Sequence, residues 1–238
     1  MSGENVRVWC HCPICSTGFY SDIPVRTGRD RMTIFCERCA GDYRRMLTSK
    51  LIDLGVPQAV VERLDDTDWT VIDRAKVESL ASDFREGRLR GLYIWGPVGT
   101  GKTHLSAWLL REWLAHHQVI PNYIEGTVAW LDGTALSELL TSQGRTSTDM
   151  AIERAATEVR HYRLVILDDI LGRYTDAANR LAETILLERL DKGRPVVANS
   201  NHPSESLDPR IQSRLSTDWC RVIVREGRDM RRRQNNGR

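Results

Sequence analysis

Apolar residues in the larger, C-terminal part of the chain follow two alternating spacings. Short apolar runs end at glycine or polar residues, and between these runs apolar residues recur every three or four positions. The first spacing is typical of buried strands and the second of amphipathic helices. The predicted strands are 89–95, 127–131, 164–167, 195–198 and 220–224, and the predicted helices are 102–117, 134–140, 151–161, 176–190 and 209–215. Strands separated by helices indicate an α/β fold with a parallel sheet that is covered on both faces.

The first part of the chain has a different pattern. Residues 1–45 show weak apolar periodicity and contain five of the six cysteines, whereas residues 46–66 have the pattern of short helices. A further helix is predicted at 71–85, and its inward-facing positions are predicted to be Ile72, Ala75, Leu80 and Phe84. We therefore expect a Cys-rich module at 1–45, a helical linker at 46–66 and an α/β domain at 67–238.

Composition and charge exclude some classes of protein. The chain has 238 residues and a net charge of +2, which is too small to indicate nucleic-acid binding by itself. No apolar run reaches the roughly 18 residues of a membrane helix, and the first residues lack the apolar segment of a secretory signal. We expect a cytoplasmic protein without a membrane partner, whose thiols stay reduced. Residues 221–238 contain seven arginines against two acidic residues, so this segment is either a solvated terminus or a phosphate contact.

One segment, between the predicted strand 89–95 and the predicted helix 102–117, carries a phosphate-binding pattern. It fits G-x-x-x-x-G-K-[ST] without a mismatch, and its residues are Gly96, Pro97, Val98, Gly99, Thr100, Gly101, Lys102 and Thr103. Glycines let the backbone curl so that successive N–H groups point at phosphate oxygens, and the helix start adds the positive end of its dipole. Lys102 would place a charge on the outer phosphates, and Thr103 would offer a hydroxyl to Mg²⁺. The sequence therefore predicts a site for a nucleoside triphosphate and magnesium.

Two later strands are predicted to end in polar residues at the same edge of the sheet. Asp168 and Asp169 follow the strand 164–167, and Asn199 follows the strand 195–198. Ligands of parallel sheets bind at the carboxyl ends of the strands. Asp168 would then hold Mg²⁺ and Asp169 would orient or deprotonate the attacking water, unless both merely form an acidic turn. Asn199 would contact the γ-phosphate or that water, unless it only forms a turn.

The cysteines of the first module have metal-ligand spacing. Two C-x₂-C pairs, separated by 20 residues, are formed by Cys12 with Cys15 and by Cys36 with Cys39. Four thiolates close a tetrahedral Zn²⁺ site and leave no open position, so the predicted zinc is structural. Metal binding would supply the folding free energy that this small segment lacks. The neighbours Cys10 and His11 are alternatives to Cys12 as a ligand.

The order of these motifs resembles that of Walker A, Walker B and sensor 1 in AAA+ ATPases. In detail the chain is most similar to the DnaC/DnaI helicase loaders and the related IstB transposition ATPases. The segments that carry the resemblance are 96–104, 167–170, 186–195, 198–201 and 210–215, and it extends over residues 65–231. The resemblance implies a P-loop AAA+ sheet sandwiched by helices, preceded here by a zinc-ribbon-like module. Asp169 stands where most AAA+ proteins have Glu, which fits a slow, switch-like ATPase.

The resemblance also implies roles for residues outside the strand ends. His104 belongs to the segment that binds ATP. Arg214 matches the arginine finger that reaches the ATP of a neighbouring subunit, and Arg210, one helical turn earlier, is a second candidate. Arg231 is similar to a sensor 2 arginine, although the residues before it depart from the family pattern. No separate lid domain is expected.

The function implied by the resemblance is ATP-dependent loading of a DnaB-type hexameric replicative helicase. Such a loader binds and slowly hydrolyses ATP, forms a homo-oligomer when ATP is bound, and contacts single-stranded DNA. The zinc module would contact the helicase. One alternative is an IstB-like ATPase that regulates transposition on duplex DNA. The other is a zinc-ribbon DNA-binding protein in which the nucleotide is a static ligand.

Overall fold

The computed structural model describes residues 5–12, 18–24, 37–64, 74–144, 146–172 and 174–225. Its first two strands, β1 (Asn5–His11) and β2 (Gly18–Pro24), form an antiparallel pair in which Asn5 lies opposite Pro24 and His11 opposite Gly18. The sequence analysis did not predict these strands, because the apolar alternation in this segment is weak. The Cys-rich module therefore contains regular backbone structure, with β1 before the first predicted zinc ligand and β2 between the two cysteine pairs.

The described chain contains eight α-helices, and most lie where the apolar spacing predicted them. They are α1 (Glu37–Asp53), α2 (Gln58–Val61), α3 (Arg74–Arg85), α4 (Lys102–His116), α5 (Gly133–Ser142), α6 (Thr148–Glu158), α7 (Asp176–Asp191) and α8 (Pro209–Leu215). Short 3₁₀ turns occur at Pro121–Tyr123, Val159–His161 and Ser204–Ser206. In the part of the chain that is described, no helix is long and apolar enough to cross a membrane.

Five strands form the main sheet. They are β3 (Gly91–Trp95), β4 (Val128–Leu131), β5 (Leu164–Ile170), β6 (Val196–Ser200) and β7 (Cys220–Val224). Their spatial order is β4-β5-β6-β3-β7, and every neighbouring pair is parallel. The predicted parallel α/β sheet is thus confirmed. The strand that precedes the phosphate-binding segment, β3, lies between β6 and β7, so the polar residues after β6 are its direct neighbours.

The strands alternate their side chains between two apolar layers. Leu92, Ile94, Trp130, Ile166 and Val197 point into one layer, and the intervening residues of the same strands point into the other. The first layer is covered by α1 to α4 and the second by α5 to α8. Because both faces of β3 to β6 are buried, these strands begin as apolar runs, which explains why such runs predicted them well, whereas β7 at the sheet edge is largely exposed.

The segment predicted as a linker packs into the first of these layers. Its residues Leu47, Leu51 and Leu64 are at most 1 % exposed and belong to the same apolar core as α4. The hydroxyl of Tyr43 donates hydrogen bonds to the carbonyl oxygens of Leu114 (3.2 Å) and Val119 (2.7 Å), and its burial raises the pKa of the phenol. The described part of the predicted linker, residues 46–64, therefore packs into the core of the α/β domain.

The inward face of α3 differs from the predicted one. Its buried residues are Val77, Ala81 and Phe84, whereas Ala75 is exposed and Leu80 is only half-buried. Ile72 lies outside the described residues. Phe84 is thus inward as predicted, whereas Val77 and Ala81 are buried in place of Ala75 and Leu80 on a helix that contacts α4.

Candidate nucleotide-binding site

The phosphate-binding segment forms a tight loop between β3 and α4. Gly99 and Gly101 have φ angles of 83° and 84°, which lie in the left-handed region that glycine adopts without strain. Gly96 lies so close to β7 that a Cβ atom there would collide with the carbonyl oxygen of Arg225. The glycines at these positions are thus required by backbone geometry, and the loop is held against the sheet.

The first turn of α4 differs from the first turns of the helices on the other face. The N-terminal N–H groups of α5, α6, α7 and α8 are capped by side chains, and the caps are Asp132, Ser147, Thr175 and Asp208. At the start of α4 stands Gly101, which has no side chain to accept these hydrogen bonds. The amides of this turn can therefore donate to an anion, as those of a phosphate-binding loop do.

The ammonium group of Lys102 lies within the loop. It donates hydrogen bonds to the carbonyl oxygens of Gly96 (2.8 Å) and Pro97 (2.9 Å) and to Oδ1 of Asn201 (2.8 Å). Lys102 is only 7 % exposed, so its positive charge is buried beside the carboxyl ends of β3 and β6. Its position agrees with the role that the sequence pattern predicts for it.

Two oxygen atoms suited to magnesium lie side by side. The hydroxyl of Thr103 donates a hydrogen bond of 3.0 Å to Oδ1 of Asp168, which also accepts one of 2.5 Å from the amide of Asn199. Burial raises the pKa of Asp168 to about 6, although these two hydrogen bonds lower it and the charge of Asp169 raises it further. A hydroxyl and a buried carboxylate are hard oxygen ligands, so this pair fits Mg²⁺.

Asp169 takes an unusual backbone conformation at the end of β5. Its φ angle is 55°, and the pairing of β5 with β6 is interrupted between Leu167 and Ile170. The backbone N–H of Asp169 donates to Oδ1 of Asn199 (2.7 Å), and its carboxylate accepts a hydrogen bond from the amide of Asn201 (2.8 Å). The bulge therefore directs the second carboxylate toward Asn201 and away from Asp168.

The two asparagines of β6 and the following turn have different surroundings. Asn199 is 1 % exposed, and its side chain donates to Ser106 (3.1 Å) and Asp168 in addition to accepting from Asp169. Asn201 is more exposed and lies between Lys102 and Asp169. The sequence predicts that Asn199 contacts the γ-phosphate or the attacking water, unless it only forms a turn. In the structure this side chain is buried and hydrogen-bonded to Asp168, and the predicted contact stays a prediction. The polar group that faces the lysine is that of Asn201.

A buried arginine, Arg225, is hydrogen-bonded to the phosphate-binding loop. Arg225 directly follows β7 and is 5 % exposed, and its guanidinium donates two hydrogen bonds, of 2.7 and 3.2 Å, to the carbonyl oxygen of Thr100. Its backbone N–H donates to the carbonyl of Trp95 (2.7 Å). Nothing in the local sequence indicated this contact, because it joins residues 125 positions apart. Arg225 thus connects the last strand to the phosphate-binding loop.

The other predicted site residues lie at different distances from this centre. His104 is half-buried on α4, and burial lowers its pKa. Arg214 and Arg210 are exposed on α8, where Arg214 pairs with Asp191 (2.5 Å) and Arg210 with Asp208 (3.1 Å). These ion pairs lie outside the phosphate-binding loop, and the action of either arginine on a second subunit stays a prediction. Arg231 lies outside the described residues.

The predicted zinc ligands are only partly described. Cys12 is buried directly after β1, and Cys39 lies in the first turn of α1. Cys15 and Cys36 lie outside the described residues, so the four-cysteine site stays a prediction. Within the described ranges, no group of three or more His, Cys, Asp or Glu side chains has the arrangement of a metal site.

Comparisons with known proteins identify the fold. No family model and no curated protein matches the sequence. Among solved structures, a protein of Streptococcus pyogenes serotype M3 described as a primosome component is 20% identical, with a TM-score of 0.52, and the match covers 81% of this chain and 98% of that one. The DnaC helicase loader is 18% identical, also with a TM-score of 0.52, over 71% of this chain and 100% of its own.

This chain therefore shares the fold of these two solved structures, a parallel sheet covered by helices on both faces. The predicted likeness to the DnaC loader is therefore confirmed at the level of the fold. At these identities the comparison concerns the fold alone, and the chemistry must be argued from the residues.

Proposed function

We propose that this protein is an ATP-dependent loader of a DnaB-type hexameric replicative helicase. The observation that carries the proposal is the convergence of Lys102, Thr103, Asp168, Asp169 and Asn201 at one edge of a parallel sheet. The DnaC protein, which shares this fold over its full length, is described as a helicase loader. That likeness supports the choice of the helicase as the partner.

Binding of ATP would use the loop and the lysine together. The amides after Gly99 and Gly101 would donate to the phosphate oxygens, and Lys102 would transfer its hydrogen bonds from backbone carbonyls to the outer phosphates. Thr103 and Asp168 would hold Mg²⁺, which supplies neutralising charge to the phosphate oxygens when bound. Arg225 would keep the loop in place by its hydrogen bonds to Thr100.

Hydrolysis would depend on the residues that follow β5 and β6. The carboxylate of Asp169 would accept a hydrogen bond from the attacking water and orient it. Asn201, which joins Lys102 to Asp169, would hold the γ-phosphate relative to that water. Because Asp is one methylene shorter than the Glu of most AAA+ proteins, we expect slow turnover, which suits a switch.

Association of several copies of the protein would complete the nucleotide-binding site. The exposed Arg214 would release Asp191 and contact the ATP of a neighbouring copy, with Arg210 as the other candidate on the same helix. An arginine supplied in this way stabilises the charge on the transferred phosphoryl group and raises the rate of hydrolysis by about 10³- to 10⁵-fold. ATP would therefore favour a homo-oligomer, which would also bind single-stranded DNA.

The N-terminal module would contact the helicase. We propose that Cys12, Cys15, Cys36 and Cys39 hold a structural Zn²⁺ next to the β1–β2 hairpin. A metal-stabilised module beside an ATP-dependent core lets one part of the chain bind the partner while the other responds to nucleotide.

Co-purification with a purified replicative helicase tests the proposal. We expect the helicase to be retained by the tagged full-length protein in the presence of ATP and Mg²⁺, and lost from the Lys102→Ala variant. Lys192→Ala is the matched control, because Lys192 is an exposed lysine whose ion pair in the described part of the chain is with Glu188 (2.6 Å). If the helicase is retained equally without nucleotide and by the Lys102→Ala variant, the loader mechanism is contradicted. Stimulation of ATP turnover by duplex DNA and transposase alone would favour the IstB-like alternative.

A further inference from the structure

A second concave site lies at the opposite edge of the sheet from the nucleotide site. It has a volume of about 500 Å³ and is formed by the end of α3, the end of α4 and the loops that lead into β5 and β6. These are the amino ends of the parallel strands, whereas the phosphate-binding loop follows the carboxyl end of β3. A strand of five residues separates the two edges by about 16 Å. We refer to this site as the amino-edge pocket.

The walls of the amino-edge pocket are basic. Four arginines line it, and the carboxylate among the lining residues is that of Glu86, which pairs with Arg88 outside the pocket. Arg160 is paired with Glu188 (2.6 Å), but among the described residues no carboxylate lies within ion-pair distance of Arg85, Arg163 or Arg194. The Nε atom of Arg85 is buried without a hydrogen-bond partner in the described structure. Glu86 also interacts electrostatically with Arg85, so the four arginines carry more positive charge than the described carboxylates beside them balance.

Aromatic rings lie among these charges. The guanidinium of Arg163 lies over the ring of the buried Trp113, 5.3 Å from its centroid, which leaves the outer side of the guanidinium facing the pocket. The rings of His161 and Tyr162 are tilted by 35° to each other with centroids 4.0 Å apart; His161 is exposed and Tyr162 is half-buried. Basic groups beside accessible aromatic rings are the arrangement that binds the phosphates and bases of single-stranded nucleic acid.

A buried arginine fixes the geometry of the walls. Arg189 is 4 % exposed, and its guanidinium donates to the carbonyl oxygens of Pro195 (3.0 Å), Tyr162 (3.0 Å) and Arg163 (3.2 Å). It thereby joins the loop before β5 to the loop before β6. A further hydrogen bond, of 2.5 Å, runs from Arg194 to the carbonyl of Arg160. The pocket is thus built by buried contacts and is not a chance grouping of surface side chains.

We propose that the amino-edge pocket binds single-stranded nucleic acid. Arg163 and Arg85 contact successive phosphates, and a base stacks against the accessible His161–Tyr162 pair. An acidic protein segment would use the arginines but would gain nothing from the rings, which favours nucleic acid as the ligand. The inference locates the DNA contact of the proposed loader and rests on that part of the proposed function, but it does not depend on ATP hydrolysis.

Fluorescence anisotropy with a labelled oligothymidylate of about 20 nucleotides tests the inference on the full-length protein. We expect Arg85→Gln/Arg163→Gln to weaken binding by about tenfold and to reduce the slope of log K against log salt by about 1.4, as for two lost phosphate contacts on a single strand. Tyr162→Ala should weaken binding by about five- to a hundredfold, while Tyr162→Phe keeps the stacking surface and the affinity. If the double variant does not fold, the single variant Arg163→Gln, at an exposed position, replaces it in the same measurement.

The matched control is Arg45→Gln/Arg180→Gln, which removes the same charge from two exposed arginines outside the pocket. If the pocket variants bind DNA like this control, the pocket assignment is overturned and the DNA contact lies elsewhere. If the wild type binds a fluorescent ATP analogue but no oligothymidylate, the DNA part of the proposed function fails together with this inference. Displacement of the oligonucleotide by a glutamate-rich peptide as readily as by unlabelled DNA would also overturn it, in favour of a protein ligand.

Discussion

The ammonium group of Lys102 and the side-chain oxygen of Asn201 are 2.8 Å apart, although the residues are separated by 99 positions in the chain. The amide nitrogen of the same asparagine lies 2.8 Å from a carboxylate oxygen of Asp169. One side chain therefore connects the residue that would bind the phosphates to the residue that would orient water. Its two polar ends match the charges of its partners, since the oxygen faces the lysine and the nitrogen faces the carboxylate.

Replacement of Asn201 by Ala should reduce ATP turnover by about 10- to 100-fold, because one positioned polar contact to the transition state is lost. Binding of a fluorescent ATP analogue should change little, since the loop amides and Lys102 stay in place. Steady-state hydrolysis and equilibrium titration on the same preparation measure both. Asn122→Ala, at an exposed position in the turn Pro121–Tyr123, is the control. Unchanged turnover in Asn201→Ala would remove this residue from the catalytic site.

Asn199→Ala should act on stability instead. Its buried side chain makes hydrogen bonds to Ser106, Asp168 and the backbone of Asp169, and the substitution leaves these groups without a partner. We expect the free energy of unfolding to fall by about 1–3 kcal/mol or more. Urea unfolding of Asn199→Ala and Asn201→Ala side by side measures the difference. Equal stability of the two variants would show that Asn199 is not the structural member of the pair.

The fold was largely predictable because four of the five described strands of the main sheet, β3 to β6, are buried on both faces. The predicted elements 209–215 and 220–224 coincide with α8 and β7, and the other predicted strands differ from the observed ones by a few residues at their ends. β5 continues three residues beyond the predicted end at Leu167, since the bulge at Asp168 and Asp169 lets Ile170 pair again with Ser200. A local pattern cannot reveal a bulge whose cause lies in the neighbouring strand.

Residues of the nucleotide-binding site could be predicted from the sequence only where their motif lies within one continuous segment. The loop from Gly96 to Thr103 and the two aspartates have local signatures, and the structure brings Thr103 and Asp168 together. The choice between Asn199 and Asn201 depends on which side chain points past the end of β6, and the sequence does not contain that information. Arg225 was missed for a related reason, because its contact with Thr100 arises only when β7 lies beside β3.

The buried carboxyl group of Asp168 should make the free energy of unfolding depend on pH. Burial raises its pKa to about 6 in the folded protein, so the favourable contribution of its neutral form is present at low pH and is lost as the pH rises through about 6. Without Mg²⁺, Asp168→Asn should therefore be more stable than the wild type by about 3 kcal/mol at pH 8, and the difference should disappear toward pH 4. Urea unfolding in chelator at several pH values measures it.

The exposed Asp149, which pairs with Arg180, provides the control, and Asp149→Asn should show no comparable dependence. A stability difference between wild type and Asp168→Asn that stays constant from pH 4 to pH 8 would contradict the raised pKa. With Mg²⁺ and ATP the order should reverse, because the ionised carboxylate then has a cation to bind.

Arg214→Ala should lower turnover without lowering stability. Its ion pair with Asp191 is exposed, so its loss should change the free energy of unfolding by less than about 1 kcal/mol. If Arg214 acts on a neighbouring subunit, mixing Arg214→Ala with Lys102→Ala should restore part of the activity, since one interface then combines an intact lysine with an intact arginine. Arg210→Ala, treated identically, distinguishes the two candidates. An inactive mixture would argue against action between subunits.

Metal removal should separate the N-terminal module from the nucleotide site. The full-length protein, purified without chelator, should contain about one zinc per chain, and Cys36→Ser should lose it because a four-thiolate site tolerates no missing ligand. Cys220→Ser is the control, since Cys220 is buried in β7, within the apolar core. Atomic absorption measures the metal, and a fluorescent ATP analogue should bind both variants alike.

Hydrogen exchange then shows whether the metal supports folding of the module. Amides of β1, β2 and the first turn of α1 should lose protection in chelator, while those of β3 and β5 should keep it, because the main sheet has its own core. Cys10→Ser and Cys12→Ser compared in the same assay identify which of the two is the ligand. A full-length protein without zinc, but with protected β1 and β2, would show that the hairpin is stabilised by its own packing, and the four-cysteine site would be wrong.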